Sequence, residues 1–384
     1  MDRVRLAVVG GFLGAGKTTA LVSLARSLEA TGIRCAVVLN DQGEGLVDTA
    51  LSRATNLQVA EVTGGCFCCR FDQFTATTID VVERTGVEVV LAEAVGSCTD
   101  LTATVIRPLR TYFGAQFTVA PLAVFVEPPR LQELRNADGE SGALMPYLFD
   151  KQLEDADVIV LNKVDLLDSE ERTELACTLE STFAPAEVLC ASARTGEGMD
   201  ALRDRLLLNL SDSRAGLQTI DYTKYARAEA ELAWLNANAT VMSGENPATS
   251  SQLWLREFMS AVSELCVQRG LWIGHVKAHL RTIDGVSKAS VTRAGEEAGF
   301  DLEDPRPFAH ADLLVNARVR GQPRELDAVV LAGVAQVDQQ LGTSSTVHAV
   351  RAFSPLPPKP TYRLLADGSS VGKGGSRGSW KTRA

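Results

Sequence analysis

Three cysteines lie within four residues of one another in the stretch Gly64-Gly65-Cys66-Phe67-Cys68-Cys69. Thiolates are soft ligands that suit Zn²⁺ or Cu(I), and less selectively Co²⁺ or Ni²⁺. The two glycines allow the backbone to bend so that the three sulfurs converge. We expect a three-thiolate metal site with one coordination position left free, which suits an ion that is handed on. Buried inert thiols or a redox group are the alternative.

A phosphate-binding loop is predicted at Gly10-Gly11-Phe12-Leu13-Gly14-Ala15-Gly16-Lys17-Thr18-Thr19, between an apolar strand-like run and a helix-like run. From Gly11 it fits the pattern of Gly, four residues and Gly-Lys-Thr, whose backbone N–H groups surround phosphate oxygens at a helix N-terminus. Lys17 would reach the β- and γ-phosphates, and the Thr18 hydroxyl would ligate Mg²⁺. The predicted nucleotide contacts in this loop are Gly11, Gly14, Ala15, Gly16, Lys17, Thr18 and Thr19.

Two acidic motifs follow other strand-like runs. In Asn40-Asp41-Gln42-Gly43-Glu44, a mobile loop would bring carboxylates to Mg²⁺ or the γ-phosphate, and a solvated acidic turn is the alternative. Asp41 is therefore a catalytic candidate, and Glu44 is a candidate fourth ligand of the transition metal.

The second acidic motif, Glu93-Ala94-Val95-Gly96, matches the Asp-x-x-Gly-type element of nucleotide hydrolases. Glu93 is a catalytic candidate that would hold Mg²⁺ through water or orient the attacking water. The Gly96 N–H would face the γ-phosphate. A charged strand end before a turn is the alternative.

Guanine recognition is predicted from two motifs that are spaced as one αβ unit. In Asn162-Lys163-Val164-Asp165, the Asp165 carboxylate would accept the hydrogens of guanine N1 and N2, which adenine does not supply. Lys163 would cover the base plane, and the backbone of Ser192 and Ala193 would meet guanine O6. The predicted nucleotide is therefore GTP.

The elements that must position these residues alternate between apolar strands and amphipathic helices from residue 1 to about 210. This alternation predicts an α/β fold of the P-loop NTPase class, with a mostly parallel sheet and helices on both faces. Ligands of such sheets bind at the carboxyl ends of the strands, which all of these motifs follow. The candidate strands are 5–9, 35–39, 58–62, 88–92, 118–125, 158–161 and 187–190.

A smaller α+β domain is predicted after a polar, glycine-containing link near 211–216. Its pattern is β-α-β-β-α-β, the ferredoxin-like order, in which two helices cover one face of a sheet. From Ser354 the chain is Pro-rich, then Gly/Ser-rich and basic, which indicates a flexible tail. The predicted domains are therefore residues 1–212, 217–353 and 354–384.

His275 and His279 lie four residues apart on a predicted strand of the second domain and would face the same side. The simplest interpretation is a pair of half-buried strand histidines. An acceptor metal site is the alternative.

Composition and charge narrow the function classes. The 384 residues are 45% hydrophobic and 22% charged, as in ordinary globular proteins, and the formal net charge of −10 argues against wide nucleic-acid binding. No run is long and apolar enough to span a membrane, and the first residues lack a signal-peptide pattern. Eight cysteines in such a chain point to a reducing cytoplasm, where clustered cysteines more often mean metal or redox chemistry than disulfides.

Together, the motifs resemble those of the CobW family of GTP-binding metallochaperones, relatives of the nickel-insertion GTPases UreG and HypB. The resemblance covers about residues 4 to 210 and rests most on Cys-x-Cys-Cys between a phosphate loop and Asn-Lys-x-Asp. It implies slow GTP hydrolysis coupled to binding of a transition metal, often Zn²⁺ or Co²⁺. The ion would be delivered to a metalloenzyme or a corrinoid-related protein. The three cysteines match the family's metal ligands, and Glu44 matches the acidic residue of its Asn-Glu-Phe-Gly-Glu loop.

The chain departs from the family pattern in particular places. Asp41 and Gln42 replace Glu and Phe in the loop before Glu44, and Glu93-Ala94-Val95-Gly96-Ser97 stands where the family usually has Glu-Thr-Ser-Gly. The second domain matches no usual carboxy-terminal domain of the family, so a different partner or cargo is expected. A nucleotide-dependent homodimer is a further candidate assembly.

Two other function classes fit parts of the sequence. A GTP-switched activator would dock on a metalloenzyme and hold a structural zinc ion without delivering it. A P-loop kinase would share the phosphate loop, but a kinase has no need of the guanine-reading pair.

Overall fold

The structure, a computed structural model, describes residues 3–40, 57–135, 144–208, 219–244 and 249–365. Asp41 and Glu44, and the predicted link at 211–216, lie outside the described residues. The strands are β1 (Val4–Gly11), β2 (Cys35–Asn40), β3 (Gln58–Val62), β4 (Val89–Glu93), β5 (Phe117–Val119), β6 (Ala123–Val126), β7 (Val158–Leu161), β8 (Glu187–Cys190), β9 (Leu232–Met242), β10 (Trp272–Arg281), β11 (Val286–Val291), β12 (Gly299–Leu302), β13 (His310–Arg320) and β14 (Ser344–Phe353). The helices are α1 (Lys17–Ala30), α2 (Phe71–Thr85), α3 (Arg107–Phe113, preceded by a π-helical turn, Thr102–Ile106), α4 (Pro128–Arg135), α5 (Leu144–Glu154), α6 (Ser169–Thr182), α7 (Met199–Leu208), α8 (Tyr222–Ala230), α9 (Ser251–Gln268) and α10 (Pro323–Leu341), with a 3₁₀ turn at Val164–Leu166.

The first sheet has the strand order β3-β2-β4-β1-β6-β7-β8, with β5 also paired to β1, and its described pairs are all parallel. Parallel strands joined by helices are buried on both faces. Alternate residues of β1 divide between two buried clusters accordingly. Leu6 and Val8 pack with α2, α3 and α5, while Ala7 and Val9 pack with α1 and α7. The predicted α/β class of P-loop NTPases is confirmed.

The turns that carry the motifs all leave the same edge of this sheet. Because the strands are parallel, their carboxyl ends meet at one edge. β1 ends at Gly11, β2 at Asn40, β3 at Val62, β4 at Glu93 and β7 at Leu161. The phosphate loop, the cysteine turn and the guanine-reading motifs therefore start side by side.

The second sheet is antiparallel, with the order β12-β11-β10-β13-β9-β14. Apart from β11 and β12, the chain order β9-α9-β10-β13-α10-β14 and the sheet order β10-β13-β9-β14 are those of the predicted ferredoxin-like fold. Helices α9 and α10 cover one face, where Phe258, Val276 and Val330 share a buried cluster. The strands β11 and β12 extend this sheet beyond β10.

The other face of the second sheet packs against the first half of the chain. Trp234 of β9 belongs to the same buried cluster as Leu6 and Val8. The buried Arg130 guanidinium of α4 donates to the carbonyl oxygens of Ile273 and Gly274 at 2.9 and 3.1 Å. This contact holds β10 beside the carboxyl edge of the first sheet.

One predicted strand needs correction. The run 118–125 forms two strands, β5 and β6, rather than one. Both pair with β1, on either side of a break that contains Pro121. Proline has no backbone N–H for the ladder, so the strand cannot continue through it.

The predicted flexible tail also begins too early. Residues 354–365 lie against the first half of the chain. The Thr361 N–H donates to Cys68 O at 2.8 Å, and Arg363 Nε donates to the Asp100 carboxylate at 2.6 Å. The rest of the predicted tail, from residue 366, lies outside the described residues.

Candidate nucleotide and metal site

The phosphate loop has a backbone that only glycine adopts readily. Gly11, Gly14 and Gly16 have φ values of 123°, 83° and 81°. A Cβ on Gly11 would lie 2.3 Å from Phe125 O, and a Cβ on Gly16 would lie 2.5 Å from Asn162 Nδ2. Both the backbone conformation and the available space therefore require glycine at these two positions.

Lys17 and Thr18 begin α1 and are buried. Lys17 Nζ donates to the carbonyl oxygens of Gly11 and Phe12 at 2.8 and 3.1 Å, and it lies 3.9 Å from one carboxylate oxygen of Glu93. The Thr18 hydroxyl donates to the other Glu93 oxygen at 2.8 Å. The carboxylate at the end of β4 thus meets the two side chains that were predicted to bind phosphate and Mg²⁺.

The turn after β4 lies directly against the phosphate loop. A Cβ on Gly96 would come within 2.6 Å of Leu13 Cδ2 and 3.1 Å of Leu13 N. Gly96 O accepts a hydrogen bond from Gln152 Nε2 at 2.9 Å. The Thr19 hydroxyl instead donates to Asp301 Oδ1 of β12 at 3.3 Å, so its side chain connects the helix α1 to the second sheet.

Asn162 joins the phosphate loop to the second guanine-reading motif. Its Nδ2 donates to Ala15 O at 2.8 Å, and its Oδ1 accepts from the Ala193 N–H at 3.0 Å. The Ser192 hydroxyl donates to Asp165 Oδ1 at 2.6 Å. The structure therefore brings the predicted guanine-reading residues together beside the phosphate loop.

Lys163 and Asp165 have ionic partners that the motifs alone do not predict. Lys163, with φ of 62°, pairs with the buried Glu127 just after β6. Asp165 Oδ2 accepts from Arg194, whose side chain is 73% exposed, at 2.5 Å. Ion pairs that include such an exposed side chain contribute little free energy. Guanine would therefore displace Arg194 at small cost.

The three cysteines converge in the turn after β3. The sulfurs of Cys66 and Cys68 are 3.0 Å apart, those of Cys68 and Cys69 are 3.8 Å apart, and all three lie within 4.8 Å of one another. Cys66 and Cys68 are buried and Cys69 is half-buried. Tetrahedral zinc with Zn–S bonds of about 2.3 Å places sulfurs about 3.8 Å apart. The turn fits such an ion after a small opening of the first pair.

Hydrogen bonds among the thiols make Cys66 the most acidic of them. The thiols of Cys68, Cys69 and Cys98 lower the pKa of Cys66 well below its ordinary value. The hydrogen bond with Cys66 raises the pKa of Cys68 well above the ordinary value and that of Cys69 to about 12. A divalent cation that binds here must displace the protons of the other thiols.

Asn40, the last residue of β2, ties the end of that strand to the cysteine turn. Its Nδ2 donates to Val62 O at 2.9 Å and to Gly65 O at 2.8 Å, and its Oδ1 accepts from the Phe67 N–H at 2.7 Å. The same residue also contributes to the wall of the nucleotide cavity. A displacement of Asn40 would therefore be transmitted to the cysteine turn.

A cavity of about 720 Å³ connects the phosphate and guanine groups. This volume is within the range of small-molecule and cofactor sites. One wall is the carboxyl edge of the first sheet, and the opposite wall is the face of the second sheet that its helices leave uncovered. The basic side chains that the second sheet contributes are His275, Lys277, Lys288 and Arg318.

Cys98 is a buried neighbour of the three cysteines that the sequence does not predict. Its thiol lies near enough to those of Cys66 and Cys68 to alter their pKa values, and the residue is 1% exposed. Its place two residues after Gly96, at the motif-bearing edge of the sheet, was the one signal in the sequence that could have identified it.

Helix α8 adds two buried polar groups beside the thiols. Glu229 accepts from the Ser97 hydroxyl at 2.5 Å, and burial raises the pKa of Glu229 to about 8. Burial, together with the nearby charges of Glu229 and the cysteines, raises the pKa of Tyr225 well above its ordinary value. Neither residue belongs to a recognisable motif. Both are distant from the cysteine turn in the sequence and lie near it only because α8 packs there in the fold.

The fold and the site together define a P-loop nucleotide-binding protein with a thiol cluster beside its phosphate site. Within the described ranges, no helix has the combined length and apolar character required to cross a bilayer.

Residues 5–189, just under half of the chain, match the family model for the CobW/HypB/UreG nucleotide-binding domain. The chain is 30% identical over 227 residues to the zinc chaperone CobW of Pseudomonas aeruginosa, covering 51% of this chain and 58% of that one. It is 32% identical over 194 residues to the zinc chaperone CobW of a Sinorhizobium species, covering 44% and 52%. The chain thus spans about half the length of the curated relatives it matches.

A solved structure of Zn(II)-bound YjiA GTPase from E. coli is 15% identical and matches over 87% of this chain and 99% of that one, with a TM-score of 0.35.

Proposed function

We propose that this chain is a GTP-hydrolysing metallochaperone. It would bind zinc, with cobalt as the alternative cargo, at Cys66, Cys68 and Cys69. It would deliver the ion to a metalloenzyme or a corrinoid-related protein. The observation that supports this most is that three converging thiols and a guanine-reading phosphate site share one sheet edge and are joined by Asn40. Relatives named as zinc chaperones support zinc as the first choice of cargo.

GTP would place its phosphates in the phosphate loop and its base between Lys163 and Asp165. Lys17 would exchange its carbonyl partners for phosphate oxygens. Thr18 and Glu93 present hard oxygen donors that suit Mg²⁺, which when bound neutralises phosphate charge. The contact between these two residues favours Glu93 as the carboxylate that holds Mg²⁺ through water.

The nucleotide state would control the metal through the segments on either side of the phosphates. GTP would order the Asp41–Glu44 loop, with Asp41 near the γ-phosphate and Glu44 near the metal, and would fix Gly96 through its N–H. The thiolates would then stay together on the ion. Hydrolysis to GDP and phosphate would relax both segments, and an acceptor protein would take the ion. We expect slow turnover in the absence of the acceptor.

Nucleotide choice and metal binding test the proposal separately. GTP should bind at least about a hundredfold more tightly than ATP, because adenine leaves the Asp165 acceptor unpaired, and equal binding would rule out a guanine site. Replacing Cys66, Cys68 and Cys69 by Ser should abolish tight Zn²⁺ and Co²⁺ binding without changing GTP affinity. Unchanged metal affinity in that variant would remove the metal function.

A GTP-switched activator with a structural zinc ion is the second candidate, and the proximity of Cys98 favours it, because four thiolates are typical of structural zinc sites. It predicts zinc that stays bound through GTP turnover. Equilibrium dialysis after a single turnover, with an apo-acceptor or a chelator outside the membrane, separates the two: delivered zinc leaves, and structural zinc is retained.

A further inference from the structure

We propose that Cys98 is a fourth sulfur ligand of the metal ion held by Cys66, Cys68 and Cys69. The inference rests on the proposed metal function and names the residue that completes its site. Cys98 is buried in the same cluster as Cys66 and Cys68, and its thiol lies near enough to theirs to alter their pKa values. Its sulfur is not one of the three that lie within 4.8 Å of one another, so it would move toward them when an ion binds.

The backbone of Cys98 is held in place by a buried glutamine. Gln152 is 3% exposed, and its Nε2 donates to Gly96 O at 2.9 Å and to Cys98 O at 2.8 Å. The Cys98 N–H donates to Val95 O at 2.9 Å and closes the turn. These bonds fix the backbone from which the Cys98 side chain extends and so reduce the entropy that this residue loses on binding an ion.

The surroundings supply hydrogen-bond donors for sulfur ligands. The Tyr225 side chain is 1% exposed, and its hydroxyl has no hydrogen-bond partner within the described part of the chain. The Lys359 N–H donates to Cys69 Sγ at 3.1 Å. Cys98, Cys68 and Cys66 all affect the pKa of Tyr225, so this hydroxyl lies near the thiols. A buried hydroxyl without a partner is unfavourable, and thiolates on a metal would provide the missing acceptor, so this hydroxyl is a second observation that points to bound metal.

The position of Cys98 connects the metal to the phosphate site. Cys98 follows Gly96 by two residues, and Gly96 packs against the phosphate loop. A γ-phosphate that binds the Gly96 N–H would hold Cys98 on the ion and give a closed four-sulfur site. Loss of the γ-phosphate would free this segment and leave three thiolates with an open position, from which an ion can be transferred.

The ligand count can be measured on the unmodified full-length chain. Zinc K-edge X-ray absorption of protein loaded with one equivalent of Zn²⁺ and a non-hydrolysable GTP analogue should give four sulfurs at about 2.3 Å. A shell of three sulfurs and one oxygen or nitrogen would overturn the inference and would favour Glu44 as the fourth ligand.

Cys98→Ala provides the matched test in solution. With Co²⁺ as the probe, the thiolate-to-metal absorption of the variant should be about a quarter weaker than that of the wild type, because one sulfur in four is lost. The zinc affinity of the variant in the GTP-analogue state should fall about tenfold or more. Cys35→Ala is the control, because Cys35 is an equally buried thiol on the opposite face of the first sheet. Identical spectra and affinities in Cys98→Ala and the wild type would contradict the inference.

Failure of this inference differs from failure of the proposed function. If the triple Ser variant loses zinc while Cys98→Ala keeps the wild-type spectrum, the metal function stands and Cys98 is not a ligand. If the triple variant binds zinc as the wild type does, the proposed function itself fails.

Discussion

At the residue scale, the proposed choice of guanine over adenine depends on Asp165. One of its oxygens accepts from the Ser192 hydroxyl, and the other accepts from an arginine that is largely exposed. The hydroxyl fixes the orientation of the carboxylate, and the exposed arginine is easily replaced by the two donors on the guanine edge. A carboxylate held in this way rejects a base that offers no matching donors.

Asp165→Asn should therefore weaken GTP binding about tenfold or more, because an amide nitrogen replaces one acceptor. XTP should gain affinity, since xanthine carries an oxygen where guanine has its amino group. Competition against a fluorescently labelled GDP measures both the GTP and the XTP affinity. Asp168→Asn is the control, because Asp168 is the exposed N-cap of α6 in the same loop and asparagine also caps helices. Wild-type GTP affinity in Asp165→Asn would contradict the guanine site.

His279 is a buried strand histidine with a lowered pKa. Burial, then the charges of Lys288 and Arg281, lowers the pKa of His279 from 6.5 to about 4, with Asp312 acting in the opposite direction. Between these two pH values the unfolded chain takes up a proton that the folded chain refuses. The free energy of unfolding should therefore fall as the pH drops from about 6.5 to 4, and this contribution is constant at higher pH.

His279→Gln should remove this contribution, which is on the order of 2 kcal/mol over that range. The free energy of unfolding is measured with urea at a series of pH values for the variant and the wild type. The difference between the two curves isolates the histidine contribution, because the titration of carboxylates is common to both. The exposed His310→Gln is the control. A difference curve for His279→Gln that stays flat between pH 6.5 and 4 would show that this histidine does not resist protonation.

The site residues that the sequence predicts share a property: their chemistry is encoded within a few neighbouring positions. The phosphate loop, Asp165 and the cysteine turn all follow this rule. Cys98 and Tyr225 do not, because they reach the thiols only through the packing of β4 and α8. Lys277 lines the nucleotide cavity from β10, more than two hundred residues after the phosphate loop in the sequence.

At the scale of elements, the connection between β2 and the cysteine turn is made by one side chain. The three hydrogen bonds of Asn40 span the end of β2, the end of β3 and the turn itself. This arrangement makes the first residue of the predicted nucleotide-sensing loop a structural part of the cysteine turn.

Asn40→Ala should lower the free energy of unfolding by about 2–3 kcal/mol, because it leaves buried backbone groups without partners. It should also reduce the effect of GTP on zinc affinity. Asn40→Asp keeps the acceptor for the Phe67 N–H but loses both donors, so its effect should be intermediate. Urea unfolding and zinc competition assays check this order, and a wild-type response of Asn40→Ala to GTP would show that the coupling takes another route.

Several strands were predictable from short runs of β-branched and other apolar residues. Strands β3, β7 and β8 occur at the predicted residues; β7 is apolar and buried throughout, whereas β3 and β8, at the two edges of the sheet, are largely half-buried. The four residues of β12 alternate between exposed and half-buried positions and give too little pattern for a prediction. Residues 354–365 have the composition of a tail, but long-range hydrogen bonds hold them against the cysteine turn.

At the scale of the whole molecule, the second sheet has a role that its composition does not disclose. Two helices cover one of its faces, and the other face closes the nucleotide cavity. Basic side chains on that face would add positive potential where a triphosphate binds. The second half of the chain would thereby sense the nucleotide directly.

Lys277→Met should lower GTP affinity about fivefold, the equivalent of about 1 kcal/mol, and should reduce the salt dependence of binding. Arg281→Met is the charge-matched control, because Arg281 lies at the exposed end of the same strand and pairs with Asp312 at 3.0 Å. Equal GTP affinities in the two variants would show that the second sheet does not contribute to phosphate binding.

The central claim is that the nucleotide state controls the metal, and the zinc dissociation constant measured in three states tests it most directly. A chromophoric chelator competes for Zn²⁺ with the full-length protein carrying a non-hydrolysable GTP analogue, GDP, or no nucleotide. The account predicts zinc binding at least about tenfold tighter with the GTP analogue than with GDP, a coupling of about 1.4 kcal/mol. Equal dissociation constants in all three states would contradict it.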